Sequence, residues 1–326
     1  MTDKFAGVKL INIYAKTTYP IVTAYEFEFL KTEEVVREVL KPCSIYIIAQ
    51  RPLLYFKNML IEDGVISFEI FDDKNDSPLS CVFNPKKNGF VPPEEDLLVD
   101  VQFYKHTPDL EPPFNDVAAF KLLKESGEFI VWYTPQKFIY EYFMGSLKAG
   151  IDGEITNFLD YKVHYIGQAF SQRVWDRLTG HEKMQSVLTM EDSLNCKTKK
   201  NSFEISLIIL DVDGFDEVNI FPFFEGLISP ESSPIIHELE SEDDFLKFYS
   251  PHLETRSPQL TNEVEAMLIN KFKPAYNKIL FEKYPDITNG TRNAGYTVAS
   301  LVVERLPAIL SSDSYQMAAL LPTEIK

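Results

Sequence analysis

Cysteine is scarce in this sequence. Cys43, Cys81 and Cys196 stand far apart and in no metal-ligand spacing. That excludes a disulfide framework and a zinc site, and it suits a reducing cytosol. Long apolar runs are missing too, so no membrane-spanning helix is expected. The opening MTDKFAGVKL lacks the apolar core of a signal segment, and the expected location is cytoplasmic. Basic residues are outnumbered, 32 Lys and Arg against 49 Asp and Glu, for a net charge of −17. Phosphate contacts dominate the affinity of nucleic-acid binders, which therefore tend to be basic. Any such function here must rest on focused positive charge. No internal repeat is present.

What is present is ample core material: 326 residues, 45% hydrophobic and 13% aromatic, enough for one large domain or two ordinary ones. Residues 1–134 read as a β-rich N-terminal domain of unknown role. Its expected strands are IVTAYEFEFL, SIYIIA, GVISFEIF, LLVDVQFY and EFIVWY, with short helices at 32–40 and 115–125. Thr134 and Pro135 then read as the cap and first position of a helix, which sets a boundary near 134. FEISLIILDV (203–212) reads as a buried strand. An acidic stretch at about 213–259, including ESSPIIHELESEDDF, reads as an insertion. LTNEVEAMLINKFKPAYNKIL reads as a helix with Val264, Met267, Leu268 and Phe272 on one face, stopped by Pro274. The expected tail, 286–326, carries a last helix in GYTVASLVVERLPAIL.

The stretch YKVHYIGQAFSQRVWDRLTGH (161–181) opens with strand alternation, turns at Gly167 and continues as a helix. There Arg177 and His181 lie one turn apart. It carries Lys162, Arg173 and Arg177 against a single acid, Asp176. Residues 270–280 carry Lys271, Lys273 and Lys278 with no acid. The two segments are where positive charge is focused.

Tyr165-Ile166-Gly167, then Arg177 and His181, then Glu265, Leu268-Ile269, Pro274 and Asn277 with twelve residues from Glu265 to Asn277, resemble a GIY-YIG nuclease domain over about 150–285. The resemblance implies an α+β fold, a small antiparallel sheet flanked by helices, here following the β-rich N-terminal domain and spanning 135–285 with its insertion. It places 161–167 beside 203–212, with helices from about 172 and 261 packed on them. It implies a phosphodiester-hydrolysing endonuclease that uses one Mg2+ or Mn2+. Nucleic acid, DNA before RNA, is the implied partner. The N-terminal domain or the acidic insertion offers a surface for a protein partner.

The resemblance also implies roles. Tyr165 activates the attacking water, provided a cation lowers its phenol from the usual value of about 10. Arg177 forks onto a phosphate oxygen, and His181 donates to phosphate or relays a proton. Glu265 holds the metal, with Glu263 as its competitor. Asn277 orients the metal site or holds the adjacent backbone. Lys162, Gln168, Arg173, Lys271 and Lys273 line the substrate path. Phe170 and Trp175 read as core packing or as base-stacking platforms. The Gly-Ile-Tyr of the family's first motif is not found just before Tyr165. Thr156, Tyr161 and Tyr140 are the candidates for its tyrosine. Tyr161 is preferred, because alternation puts it on the face of Val163 and Tyr165.

Two other readings stand beside this one. The same groove serves as a non-catalytic module binding nucleic acid or protein. Alternatively LIILDVDGF (207–215), a strand ending in Asp-x-Asp-Gly, resembles the nucleophile loop of haloacid-dehalogenase-type phosphatases, with Asp211 attacking phosphorus and Asp213 as acid and base. A plain acidic turn explains that loop better.

Overall fold

The computed structural model describes residues 10–30, 32–104, 108–170, 174–178, 187, 202–216, 227–228, 256–285, 287–294, 296 and 298–317. The chain is mostly β and builds two large sheets, one of them a curled half-barrel, rather than a small sheet flanked by helices. The α+β expectation is therefore corrected. The expected core strands are only part of a much wider sheet, widened by segments that the sequence reading assigned to other domains.

Strands are numbered in chain order. The first sheet runs Leu227–Ile228 (β13), Val298–Glu304 (β14), Leu10–Thr17 (β1), Phe203–Asp216 (β12), Ile45–Pro52 (β3), Asp160–Gln168 (β11), Ile309–Ser311 (β15) and Gln316–Met317 (β16). Val22–Thr23 (β2) also pairs with β12. The strands expected to be neighbours, β11 and β12, are thus separated by β3, which pairs antiparallel with both. The boundary expected at 134 is also corrected, since β1, β2 and β3 come from before it and share a sheet with strands from after it. Of the presumed insertion, 213–216 extend β12 along β1 and Leu227–Ile228 pairs with β14. Most of the rest lies outside the described residues.

The second sheet is built by the chain between β3 and β11. Its order is Ala149–Asp152 (β10), Leu79–Phe83 (β6), Val65–Phe71 (β5), Tyr55–Glu62 (β4), Val117–Lys124 (β8) and Leu97–Phe103 (β7), with Phe129–Tyr133 (β9) also on β8. Its core is aromatic. Phe56 and Phe68 meet edge to face at 4.7 Å, and Phe83, Phe120, Tyr133 and Phe138 join them. The sheets meet at a buried polar junction. Arg51 donates to the Tyr161 hydroxyl (2.5 Å) and to the Phe158 carbonyl (2.7 Å), and it faces Glu204 at 3.6 Å. Burial outweighs the pull of Arg51 and pushes Glu204 up to about 8.

Helices cover both faces of the first sheet. Pro258–Phe272, the last described helix (α5), packs on Ile13, Ile47, Ile208 and Leu210. Ser257 caps it by accepting from the Leu260 N–H, and Lys273 ends it with a left-handed φ of 44° just before Pro274. The opposite face is covered by Ala24–Leu30 (α1), Glu34–Val39 (α2) and Val174–Leu178 (α4). Residues 135–143 form the expected helix (α3), with Thr134 accepting from the Lys137 N–H.

Three expected elements changed type. The second half of IVTAYEFEFL is α1, because Thr23 and Glu26 form a reciprocal capping box. Thr23 N–H donates to Glu26 Oε2 at 2.8 Å, and Glu26 N–H donates to Thr23 Oγ1 at 3.0 Å. The helix expected at 115–125 is β8, held between β7 and β9. The last expected helix is instead β14 and β15. VASLVVE pairs parallel with β1, and its β-branched valines suit a sheet.

Candidate functional site

The site forms where β3 and β11 cross-pair. Gly167 sits opposite Tyr46, and the Tyr46 and Tyr165 rings lie 6.0 Å apart, tilted by 34°. Gly167 is inside the strand, not at the expected turn. A Cβ there would lie 2.5 Å from the Tyr46 hydroxyl and 2.8 Å from Tyr165 Cε1. Only glycine lets the two rings approach so closely.

A β-bulge decides which side chains share this face. The pairing shifts between Val163 and Tyr165, so His164 is the extra residue. Its Nε2 meets Gln50 Oε1 at 3.1 Å. One inserted residue inverts the alternation that follows. Tyr161 and Val163 face the α5 core, whereas Tyr165 packs on the other face with Tyr46 and Ile48. Tyr161 is fully buried and bound to Arg51 at the junction of the sheets, so its assignment as the first-motif tyrosine is corrected. The other candidates are spent as well: the Tyr140 hydroxyl pairs with Thr17 Oγ1 at 2.8 Å, and Thr156 donates to Glu154.

Tyr46 is the tyrosine of this face that the sequence reading did not single out. It stands in Ser44-Ile45-Tyr46 at the start of β3, a central strand of the sheet, which pairs with β11. Two signals were available: the Ile-Tyr pair after a small residue, and the β propensity of SIYIIA. They were hidden because the whole second sheet intervenes before Tyr165.

Arg177 and Glu265 complete the group. Arg177, exposed on α4, hydrogen-bonds the Tyr46 hydroxyl, and Tyr46 hydrogen-bonds Tyr165. Tyr46 has no exposed surface, while Tyr165 and Glu265 are half-buried. Tyr165, Arg177 and Glu265 are therefore the groups that can reach a ligand, and Tyr46 bonds the first two from below. Burial raises the Tyr165 phenol above its usual value. Glu265 pushes the same way, and the Tyr46 hydrogen bond and Arg177 offset only part. The expectation that a cation lowers this phenol is corrected by that balance. Burial also pushes Glu265 up to about 7, against the field of Arg177 and a hydrogen bond from the Gln168 N–H.

Asn277 holds the backbone, the second of its two expected roles. Its Oδ1 accepts from the Ile166 N–H at 3.0 Å and its Nδ2 donates to the Ile166 carbonyl at 2.8 Å. Next to it, Tyr276 N–H donates to the His164 carbonyl. The edge of β11 beyond β15 is thereby capped on either side of Tyr165.

The remaining expected residues are spread out. Lys162 is exposed and lies 3.9 Å from Asp313. The Gln168 side chain accepts from the Phe170 N–H at 3.0 Å. Lys271 lies over the Tyr315 ring at 5.5 Å, and Lys273 is exposed at the end of α5. Phe170 is 40% exposed, so it is not core packing. His181, Arg173 and the Trp175 side chain lie outside the described residues. Glu263 is structural: its carboxylate accepts from the Tyr284 hydroxyl at 3.0 Å and from the Thr291 N–H at 2.8 Å. Asp211 is 1% exposed, and its two carboxylate oxygens accept from Arg256 Nη2 at 2.6 Å and Nε at 3.3 Å. That geometry blocks its use as a nucleophile. Asp213's side chain lies outside the described residues.

Among the described residues, no group of three or more His, Cys, Asp or Glu side chains is placed to hold a metal. What the site offers is one half-buried carboxylate, Glu265, within electrostatic reach of Tyr165 and Arg177. A single carboxylate oxygen suits a hard divalent cation whose remaining ligands are water and phosphate. Among the described residues, no helix is long and apolar enough to cross a membrane. No protein-family model, curated protein or solved structure matches the chain.

Proposed function

We propose that this protein is a metal-dependent endonuclease of GIY-YIG type, acting on DNA in the cytosol. One observation carries the reading: Tyr46 and Tyr165 are juxtaposed across Gly167, Arg177 hydrogen-bonds Tyr46, and Glu265 lies within electrostatic reach of Tyr165 and Arg177. Tyr165, Arg177 and Glu265 are also the residues that carry the sequence resemblance.

Each residue has a definite task. Arg177, exposed and planar, receives a phosphate oxygen in a fork and neutralises charge as the phosphorus becomes five-coordinate. Tyr165 is held protonated by burial. Its hydroxyl therefore orients the attacking water or donates a hydrogen bond to a phosphate oxygen, and it accepts no proton itself. Tyr46 keeps that hydroxyl and Arg177 in register. Glu265 would hold Mg2+ or Mn2+, which supplies Lewis-acid polarisation of the phosphate and a more acidic water. Asn277 fixes the strand carrying Tyr165.

Nicking of supercoiled plasmid in magnesium or manganese tests the reading. Cleavage by the unmodified protein, with loss in Tyr165→Phe, Arg177→Ala and Glu265→Gln, supports it. Intact plasmid across both metals and several substrates ends it. A second reading, a non-catalytic nucleic-acid-binding module, is favoured by the raised phenols of Tyr46 and Tyr165. Tight binding without turnover is its signature.

A further inference from the structure

The segment after α5 makes an unusual tip. Tyr276 and Asn277 are pinned to His164 and Ile166, and Asn270 Nδ2 donates to the Phe281 carbonyl. Phe281 takes a left-handed φ of 47° and turns its ring into the α5 core. Between these anchors Ile279 is 66% exposed and Leu280 is 38% exposed. Single exposed aliphatic side chains are common. Two adjacent ones, on a short loop fastened at both ends and starting two residues beyond Asn277, are not explained by packing.

Charge indicates the occupant. Lys273, Lys278 and Lys283 are exposed around the tip, with Glu282 as the one acid from 271 to 283, in a chain of net charge −17. An apolar point ringed by cations suits a polyanion with apolar faces inside it. Stacked base pairs between two phosphate backbones have that character. Aliphatic wedges that enter the minor groove unstack a base step while flanking cations hold the phosphates.

We propose that Ile279 and Leu280 form a wedge that enters duplex DNA between base pairs beside the phosphate held at Arg177 and Glu265. The inference rests on the nuclease reading and names its substrate as a duplex opened at the cleaved step. Lys273, Lys278 and Lys283 grip the backbone around the opening. Duplexes already unstacked by a mismatch or bulge are preferred, because the cost of opening has already been met.

The Glu265→Gln protein and a duplex carrying 2-aminopurine, whose emission rises on unstacking, provide the test. Binding should raise the emission, and a mismatched duplex should bind about tenfold tighter than an intact one, a share of the few kcal/mol of unstacking. In Glu265→Gln/Ile279→Ser/Leu280→Ser both effects should vanish while the circular dichroism spectrum stays unchanged, since both side chains are exposed. Binding with no rise in emission, or a rise that survives the serine changes, overturns the wedge and leaves the nuclease reading standing. Failure of the Glu265→Gln protein to bind any DNA overturns both.

Discussion

Gly167 and Tyr46 face each other across the β3–β11 ladder, with no room between them for a Cβ. Gly167→Ala must push the Tyr46 ring aside or spread the strands. The expected cost is about 1–3 kcal/mol, as for overpacking elsewhere, read as a lower urea midpoint. Because the displaced ring is the one that touches Tyr165, cleavage should fall further than stability does. An unchanged midpoint with full cleavage would show that the rings do not need this proximity.

Glu263 and Glu265 are two residues apart on α5 and should behave oppositely. Glu265→Gln should fold normally, bind DNA as well or better, and cleave only at background in magnesium. Glu263→Gln puts an amide where the carboxylate accepts from Tyr284 and Thr291. It should cost about 1–3 kcal/mol of stability and leave residual cleavage in the folded fraction. Denaturation curves beside nicking assays distinguish the two.

Acidity should govern metal binding. Glu265 is raised to about 7, so its carboxyl is protonated below that pH and charged above it. Protons compete with the cation there, and magnesium affinity should fall by about tenfold per pH unit below 7 and level off above it. The stability effect has the other sign. A carboxyl raised in the folded protein binds more protons there than in the unfolded chain, so its contribution weakens as pH rises from the ordinary carboxylate range to 7. Calorimetric titration with magnesium at several pH values tests the first statement. Comparing wild-type and Glu265→Gln melting across the same range tests the second, with the variant gaining as pH rises.

Asn277→Ala removes both hydrogen bonds to Ile166 and leaves its N–H and carbonyl to water. A loss of about 1–3 kcal/mol is expected. Cleavage should drop with DNA affinity little changed, since Asn277 acts through the strand and not on phosphate. Asn277→Asp keeps the acceptor and should recover part of the stability. A large fall in affinity with normal stability would place Asn277 on the substrate instead.

The sequence exposed the site where local pattern controls it and hid it where topology does. The spacing from Glu265 to Asn277 is set within one helix and its stop at Pro274, so it survives in the letters. Thr134 announces its helix for the same reason. Tyr161 misled because alternation assumes an unbroken strand, and the bulge at His164 has no strong signature in YKVHYIG. The strand read at IVTAYEFEFL overlooked Thr23-x-x-Glu26, a capping signal present in the sequence. Tyr46 required knowing that β3 returns to pair with a strand more than a hundred residues later, and no local window contains that.

The placement of the second sheet has a consequence for the order of folding. The strands β4 to β10 form one continuous segment whose pairings are all made within it, whereas β3 and β11 can pair only when that segment brings Pro52 and Asp160 together. Loop closure across a collapsed segment costs less than across a free chain, and non-local pairings form late. The tyrosine pair is therefore assembled after the sheet that carries neither tyrosine. It gains parallel support only when β14 and β15, near the chain's end, have joined. Pulsed hydrogen exchange during refolding should protect amides of β5, β6 and β8 before those of β3 and β11. In kinetic terms, the second sheet works as an internal template that keeps Tyr46 and Tyr165 apart until the strands around them have joined.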